Sequence, residues 1–215
     1  TIMTLRLALT SLVIALIFGL LGAWAKLSAN RLAQRLAGAY TTIVRGVPDL
    51  VLILLVFFGG QVTLNNIGAV TGLWSYVEVS QFAAGAGTIG VIFGAYFTET
   101  FRGAIMAIPR GQIEAGISCG MRKPLIFRHI IWPQMIRFAL PGFTNNWLVQ
   151  LKTTALVSVI GLQDLVYNAF TAGRSTGQLF TFMAAAFVIY LLLTGISDLL
   201  LRAVERRYNR GVVRA

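Results

Sequence analysis

Glu99 and Arg102 stand three residues apart, and Arg45 and Asp49 four apart, inside stretches that hold mostly apolar side chains. On a helix, either spacing puts both side chains on one face, within reach of an ion pair. Lys152 lies in another such stretch with no opposite charge within a turn. An ionised group at the centre of a bilayer costs about 2.5–3.5 kcal/mol on insertion scales. Each of these groups must therefore meet a partner, face the protein interior or line a wet path. Around Lys152, the polar residues Asn146, Gln150, Thr154 and Ser158 recur every four residues, with Asn145 and Thr153 beside them. That period draws a stripe along one helix face. A polar stripe serves either helix–helix hydrogen bonding or the lining of a path. Asp164 follows at the end of the same stretch. No catalytic constellation accompanies these groups. His129 is the only histidine, lies beside Arg128 and has no paired nucleophile, and one histidine cannot build a metal site. Cys119 is the only cysteine, so no internal disulfide can form. None of the three lysines sits in G-x-x-x-x-G-K-[ST], the loop that cradles nucleotide phosphates. The chain is read as a non-enzyme.

The elements that must position these groups are membrane helices. Only 12% of residues are charged, against about 25% in a soluble domain, and mean hydropathy is +0.77. Five segments reach the roughly 20 residues that a helical crossing needs: 7–25, 36–61, 81–107, 135–162 and 179–202. Period-2 alternation is absent over these lengths, which excludes a β-barrel reading. The first run is too long for the core of a cleaved leader, about 7–15 residues, and is read as a permanent span; a few native residues are expected to precede Thr1. Nothing splits the chain, so residues 1–215 are read as one all-α transmembrane domain with two short outer loops, 62–80 and 163–178. The net charge of +11 could suggest nucleic acid, but the basic residues sit between apolar runs and form no patch with interleaved aromatics. They are instead one-sided. Lys26, Arg31 and Arg35 follow the first span. Arg110, Arg122, Lys123, Arg128 and Arg137 follow the third, and Arg202, Arg206, Arg207, Arg210 and Arg214 follow the fifth. The other side shows Arg6 and Arg174. Lys and Arg favour the cytoplasmic face, so the N-terminus is expected outside and the C-terminus inside.

The long cytoplasmic connection, 109–134, then has its own grammar. Pro109 and Gly111 break the third span, and 112–119 can make two helical turns. Gly120 can end them in a left-handed conformation. Pro124 suits the first turn of a second short helix, and Pro133 is expected to stop or kink the chain before the fourth span. Small residues Ala115, Gly116, Ser118 and Gly120 would let another protein approach the backbone.

Glu114-Ala115-Gly116, three residues, Gly120, nine residues, then Ile130-x-Trp132-Pro133 resembles the EAA motif of permease subunits in bacterial ABC importers, whose pattern is E-A-A, three residues, G, nine residues, I-x-L-P. Gly116 and Trp132 depart from it. "RGVPDLVLILLVFFG", "AYFTETFRGAIMAIPRGQIEAG" and "NNWLVQLKTTALVSVIGLQDL" are similar to segments of the polar amino acid permeases. The resemblance spans nearly the whole chain and is greatest to the Q-type subunits of histidine/lysine/arginine/ornithine importers and their opine relatives.

The resemblance implies a type I ABC importer permease with five transmembrane helices in the bacterial inner membrane. Its EAA loop would be the coupling helix, docking in a groove of a separate ATPase subunit dimer that binds ATP and Mg. Glu114 and Gly120 would be contact and turn, with Ala115, Gly116, Ile130 and Pro133 completing the motif and Arg122, Lys123 and Arg128 supplying positive charge to the partner or to lipid headgroups. Five spans make too small a bundle for a complete path, so a second permease is expected, either a paralogue, which the Q-type resemblance favours, or a second copy of this chain, with a periplasmic binding protein delivering an amino acid. If the cargo is basic, Glu99 and Asp164 could meet its cationic groups, while Lys152, Thr153, Thr154 and Ser158 meet the carboxylate and Asn146 and Gln150 line the way. The competing reading is a self-sufficient secondary transporter or channel. That class predicts paired repeats with discontinuous helices, and it leaves the EAA loop without a task.

Overall fold

The computed structural model describes residues 1–208, and every regular element among them is helical. In chain order these are α1 (Ile2–Leu27), α2 (Arg31–Gly46), α3 (Asp49–Leu54), a π turn (Leu55–Gly59), α4 (Gly60–Thr71) and α5 (Gln81–Met106). Then come α6 (Arg110–Ser118), α7 (Lys123–Ile126), a second π turn (Phe127–Ile131), α8 (Trp132–Thr153), a 3₁₀ segment (Thr154–Ile160), α9 (Leu165–Thr176) and α10 (Leu179–Tyr208). Arg210 and Arg214 of the basic tail lie outside the described residues. By length and composition, α1, the run Asp49–Thr71 and α10 can each cross a bilayer. Counting each of two bent pairs as one span brings the total to five: α5 turns 61° into α6, and Lys123–Ile160 turns 51° into α9.

The centre of the fold is the contact between α1 and α5. The buried face of α1 is Thr4, Leu7, Ala8, Ser11, Ala15, Gly19, Gly22 and Ala23, spaced mostly by three or four residues and mostly small. Lipid tails are as apolar as leucine, so helices in a bilayer associate through close packing rather than hydrophobic drive. Glycine permits the closest approach. A β-carbon added at Gly90 would lie 2.5 Å from Ile14 Cγ2, and one at Gly94 2.6 Å from Phe18 Cβ. From the other side, a β-carbon at Gly19 would lie 2.6 Å from Phe97 Cβ, and one at Gly22 would collide with Thr98 Oγ1. Ile14 meets Gly90, Phe18 meets Gly94 and Gly22 meets Thr98 at a constant sequence offset, so α1 and α5 run parallel. The Gly90/Gly94 pair is thus a packing face. Beside this seam, the Phe97 ring stacks 5.8 Å from Phe101 and lies 5.4 Å from Phe143 of α8.

The stretch read as one span over 36–61 is two helices. Val47 is extended (φ −109, ψ 139), as the residue before a proline prefers to be, and Pro48 has no N–H to continue the ladder. The chain therefore leaves α2 and restarts at Asp49. α2 lies against both central helices: the Tyr40 hydroxyl donates to Val91 O at 2.5 Å, and its ring sits 6.3 Å from Phe18. The two expected outer loops are also largely helical, since α4 extends to Thr71 and α9 fills 165–176. Their Gly, Asn and Thr content conceals the helical period. Beyond α4, the chain folds back: Gln61 accepts from Val79 N at 2.6 Å, and Asn65 accepts from Val77 N at 2.8 Å.

Because Gly22 has no room for a side chain, Gly22→Leu should cost about 1–3 kcal/mol, as overpacked cores do. The expected result is a lower thermal midpoint for the solubilised chain. Gly103→Ala, where an added β-carbon would meet nothing within 4 Å, should not lower that midpoint.

Candidate functional site

Glu99 joins three helices. Lys26, in the last turn of α1, donates to Glu99 Oε1 and, at 2.6 Å, to Thr41 Oγ1 of α2. Arg102 Nε donates to Glu99 Oε2 at 2.9 Å, the expected pair one turn away. Lys26 is 73 residues distant in sequence, so no local spacing could reveal it. One carboxylate thus holds two cations, and both its oxygens are committed. In this arrangement the carboxylate ties α1 to α5. The group edges a polar hollow of about 500 Å³ with Thr42, Arg45, Gly46 and Tyr96. Arg45 does not pair with Asp49, because the helix breaks between them. Its guanidinium lies over the Tyr96 ring, 5.1 Å from the centroid.

The polar stripe of α8 does not persist either. An α-helix advances four residues with about 40° of drift, whereas in a 3₁₀ segment the same step leaves about 120°. The change to 3₁₀ geometry at Thr154 therefore turns Ser158 off the face of Gln150 and Asn146. Asn146 Nδ2 donates to Thr100 Oγ1 of α5 at 3.0 Å, and Gln150 Nε2 donates to Ser11 Oγ of α1 at 2.9 Å. Gln150 is fully buried. Three hydroxyls turn back on their own backbone: Thr153 to Val149 O (3.1 Å), Thr154 to Leu151 O (2.6 Å) and Ser158 to Ala155 O (2.7 Å). Asp164 is buried as the N-cap of α9, accepting from Tyr167 N at 2.8 Å. Its Oδ2 has no partner among the described residues. Asn146 and Gln150 thus join helices, while Thr153, Thr154, Ser158 and Asp164 bond within their own segments. Lys152 is the exception. It is exposed and borders a hollow of about 300 Å³ with Val166, Met183, Phe187 and Tyr190.

The loop between α5 and α8 is a bent lever. α6 ends in a Schellman turn: Met121 N donates to Gly116 O at 3.0 Å, Gly120 N to Ile117 O at 2.9 Å, and Gly120 takes φ +75, which glycine adopts without strain. Pro124 occupies the first turn of α7. Glu114, Ala115, Arg122, Lys123 and Arg128 are exposed. Gly116 is buried, and a β-carbon there would lie 2.8 Å from Ile130 Cδ1. Gly116 and Ile130 therefore face each other inside the loop, so the motif is split between an outward and an inward set. Pro133 does not stop the chain. Helix runs on through the second π turn, in which Trp132 N reaches back five residues to Phe127 O. In an α-helix, the proline ring would press on the carbonyl four residues back, here that of His129. The wider π turn relieves that contact.

Residues 3–210 match the family of binding-protein-dependent transport system inner membrane components. The chain is 50% identical to the histidine/lysine/arginine/ornithine transport system permease protein HisQ of Escherichia coli (strain K12), over all of this chain and 93% of that protein. It is 44% identical to the octopine transport system permease protein OccQ of Rhizobium radiobacter, over all of this chain and 90% of that one. Its fold matches a crystal structure described as an amino acid ABC transporter with histidines, with TM-score 0.81, 33% identity, and coverage of 96% of this chain and 91% of the other. With the family match over nearly all of its length and this likeness to its relatives, the chain belongs to the family of binding-protein-dependent transport system inner membrane components, the permease subunits of ABC importers that leave ATP hydrolysis to a separate subunit.

Proposed function

We propose that this permease imports basic amino acids or opines, handed over by a periplasmic binding protein, and that the exposed face of α6 is where a partner ATPase drives it. The single observation that carries the reading is the lever itself: a short helix bearing Glu114 and Ala115 on its open side, closed by Gly120 and rooted at both ends in membrane helices. Arg122, Lys123 and Arg128 lie exposed beside it and complement an acidic rim or lipid phosphates. ATP and Mg bind in the ATPase dimer. The basic substrate class rests on the transported solutes named for HisQ and OccQ. A second permease, a paralogue in the simplest arrangement, completes the path. The N-terminus faces the periplasm and the C-terminus the cytoplasm, in keeping with the one-sided basic residues.

Within the membrane, Lys152 is the group that meets the solute's carboxylate. Its ammonium has no carboxylate partner among the described residues, and it opens on a hollow with one polar hydroxyl, Tyr190, and apolar walls. Such a combination orients a small charged solute while excluding bulk water.

Glu114→Lys should abolish binding-protein-stimulated ATPase activity in the purified complex; full stimulation would refute the docking role. Cys119 is the only cysteine and is exposed, so a membrane-impermeant maleimide should label it in inside-out vesicles and not in intact spheroplasts. Lys152→Gln should cut arginine uptake about tenfold, the loss of one charge-assisted contact of about 1.4 kcal/mol. Glu99→Gln should instead lower the complex's thermal stability, because Lys26 and Arg102 lose their counter-charge.

A further inference from the structure

Two contacts, each one helical turn from the other, join α6 to the root of α8. In the first, Gln134 Nε2 donates to Gln112 Oε1 at 2.5 Å and to Ile130 O at 3.0 Å. In the second, Gly116 receives the Ile130 side chain, with Ile126 behind it. Residues 112 and 116 are a turn apart on α6, and 130 and 134 are a turn apart across the π turn into α8. The pairs run in opposite order, 112 with 134 and 116 with 130, so the two elements lie antiparallel. They are joined like a ladder with two rungs.

A ladder of two rungs behaves differently from a hinge. α6 is tied covalently to α5 through Ala107–Pro109 and to α7 through the Gly120 turn. With the Gly116–Ile130 contact alone, it could still roll about that point. The second rung removes the roll. Gln134 is suited to this, because one amide group grips both the Gln112 side chain and the backbone of the π turn. Pro133, beside it, has no N–H, and the π turn that accommodates its ring is a natural point of compliance. The amide therefore braces the place where the rod would otherwise flex.

We propose that Gln112 and Gln134 are positioning residues that make α6 and α8 move as one body, so that force delivered to α6 reaches the membrane path. Neither belongs to the EAA pattern. The proposal rests on the reading of α6 as the docking element.

The test uses the assembled importer in proteoliposomes with its binding protein, arginine as the probe, and uptake and ATP hydrolysis measured together. In Gln112→Leu and Gln134→Leu, the ATPase should still co-purify and hydrolyse ATP. Arginine imported per ATP should fall about fivefold, the low end of ordinary coupling between separated sites. The double variant should be no worse than either single one, as for two partners in one interaction. Gln112→Glu, which keeps the acceptor, should retain normal coupling. An unchanged ratio in both leucine variants with the ATPase bound would overturn the proposal and leave the docking reading intact. Loss of the ATPase from the leucine variants would also overturn it, since the pair would then be a docking contact. A wild-type chain that imports arginine without any ATPase would overturn the docking reading itself.

Discussion

The fold depends on how closely two backbones can approach in a solvent that does not push them together. In lipid, burial of apolar surface gives helices little reason to associate, so contact area and shape complementarity must do it. Gly19, Gly22, Gly90 and Gly94 provide that complementarity between α1 and α5. Once α5 is fixed, its remaining side chains set the rest. Phe97 receives Phe143, Thr100 receives Asn146, and Glu99 receives Lys26. The end of α5 also launches α6. The glycine seam between α1 and α5 therefore determines where α6 begins.

The loop shows how a short motif divides its labour. Glu114 and Ala115 face outward and are free for another protein. Gly116 and Ile130 face inward, where they hold the loop's own shape. Gly120 supplies a backbone conformation that other residues adopt only at a cost. Pro133 goes with a π turn. Resemblance to a family pattern singled out these positions, but a pattern does not say which way a side chain points.

What was legible in the sequence follows the same division. Hydrophobic run length is a cumulative signal and led to an all-helical membrane protein, and the resemblance carried by the loop motif led to the permease family. Gly120 and Pro124 also behave as local rules require. The failures are of two kinds. At Val47–Pro48 a local rule was available, and a long apolar stretch outweighed it. In 154–160, the change from α to 3₁₀ comes from tertiary context, and a stripe drawn at constant period could not anticipate it. Lys26–Glu99 and Gln150–Ser11 are long-range pairs between helices, and a single sequence carries no signal for them. Helical stretches hidden under Gly, Asn and Thr, as in α9, were lost for want of a clear period.

The parallel arrangement of α1 and α5 also bears on biosynthesis. Three helical elements, α2 to α4, separate them in the chain, so α1 enters the bilayer long before its mate has been translated. It waits there with Gly19 and Gly22, against which α5 will pack, and with Lys26 at its end. When α5 leaves the insertion machinery it carries an acid and a base, and a cation is already in place to help neutralise the acid. The order of synthesis thus sets a template before the helix that needs it, which eases the entry of a charged segment into oil.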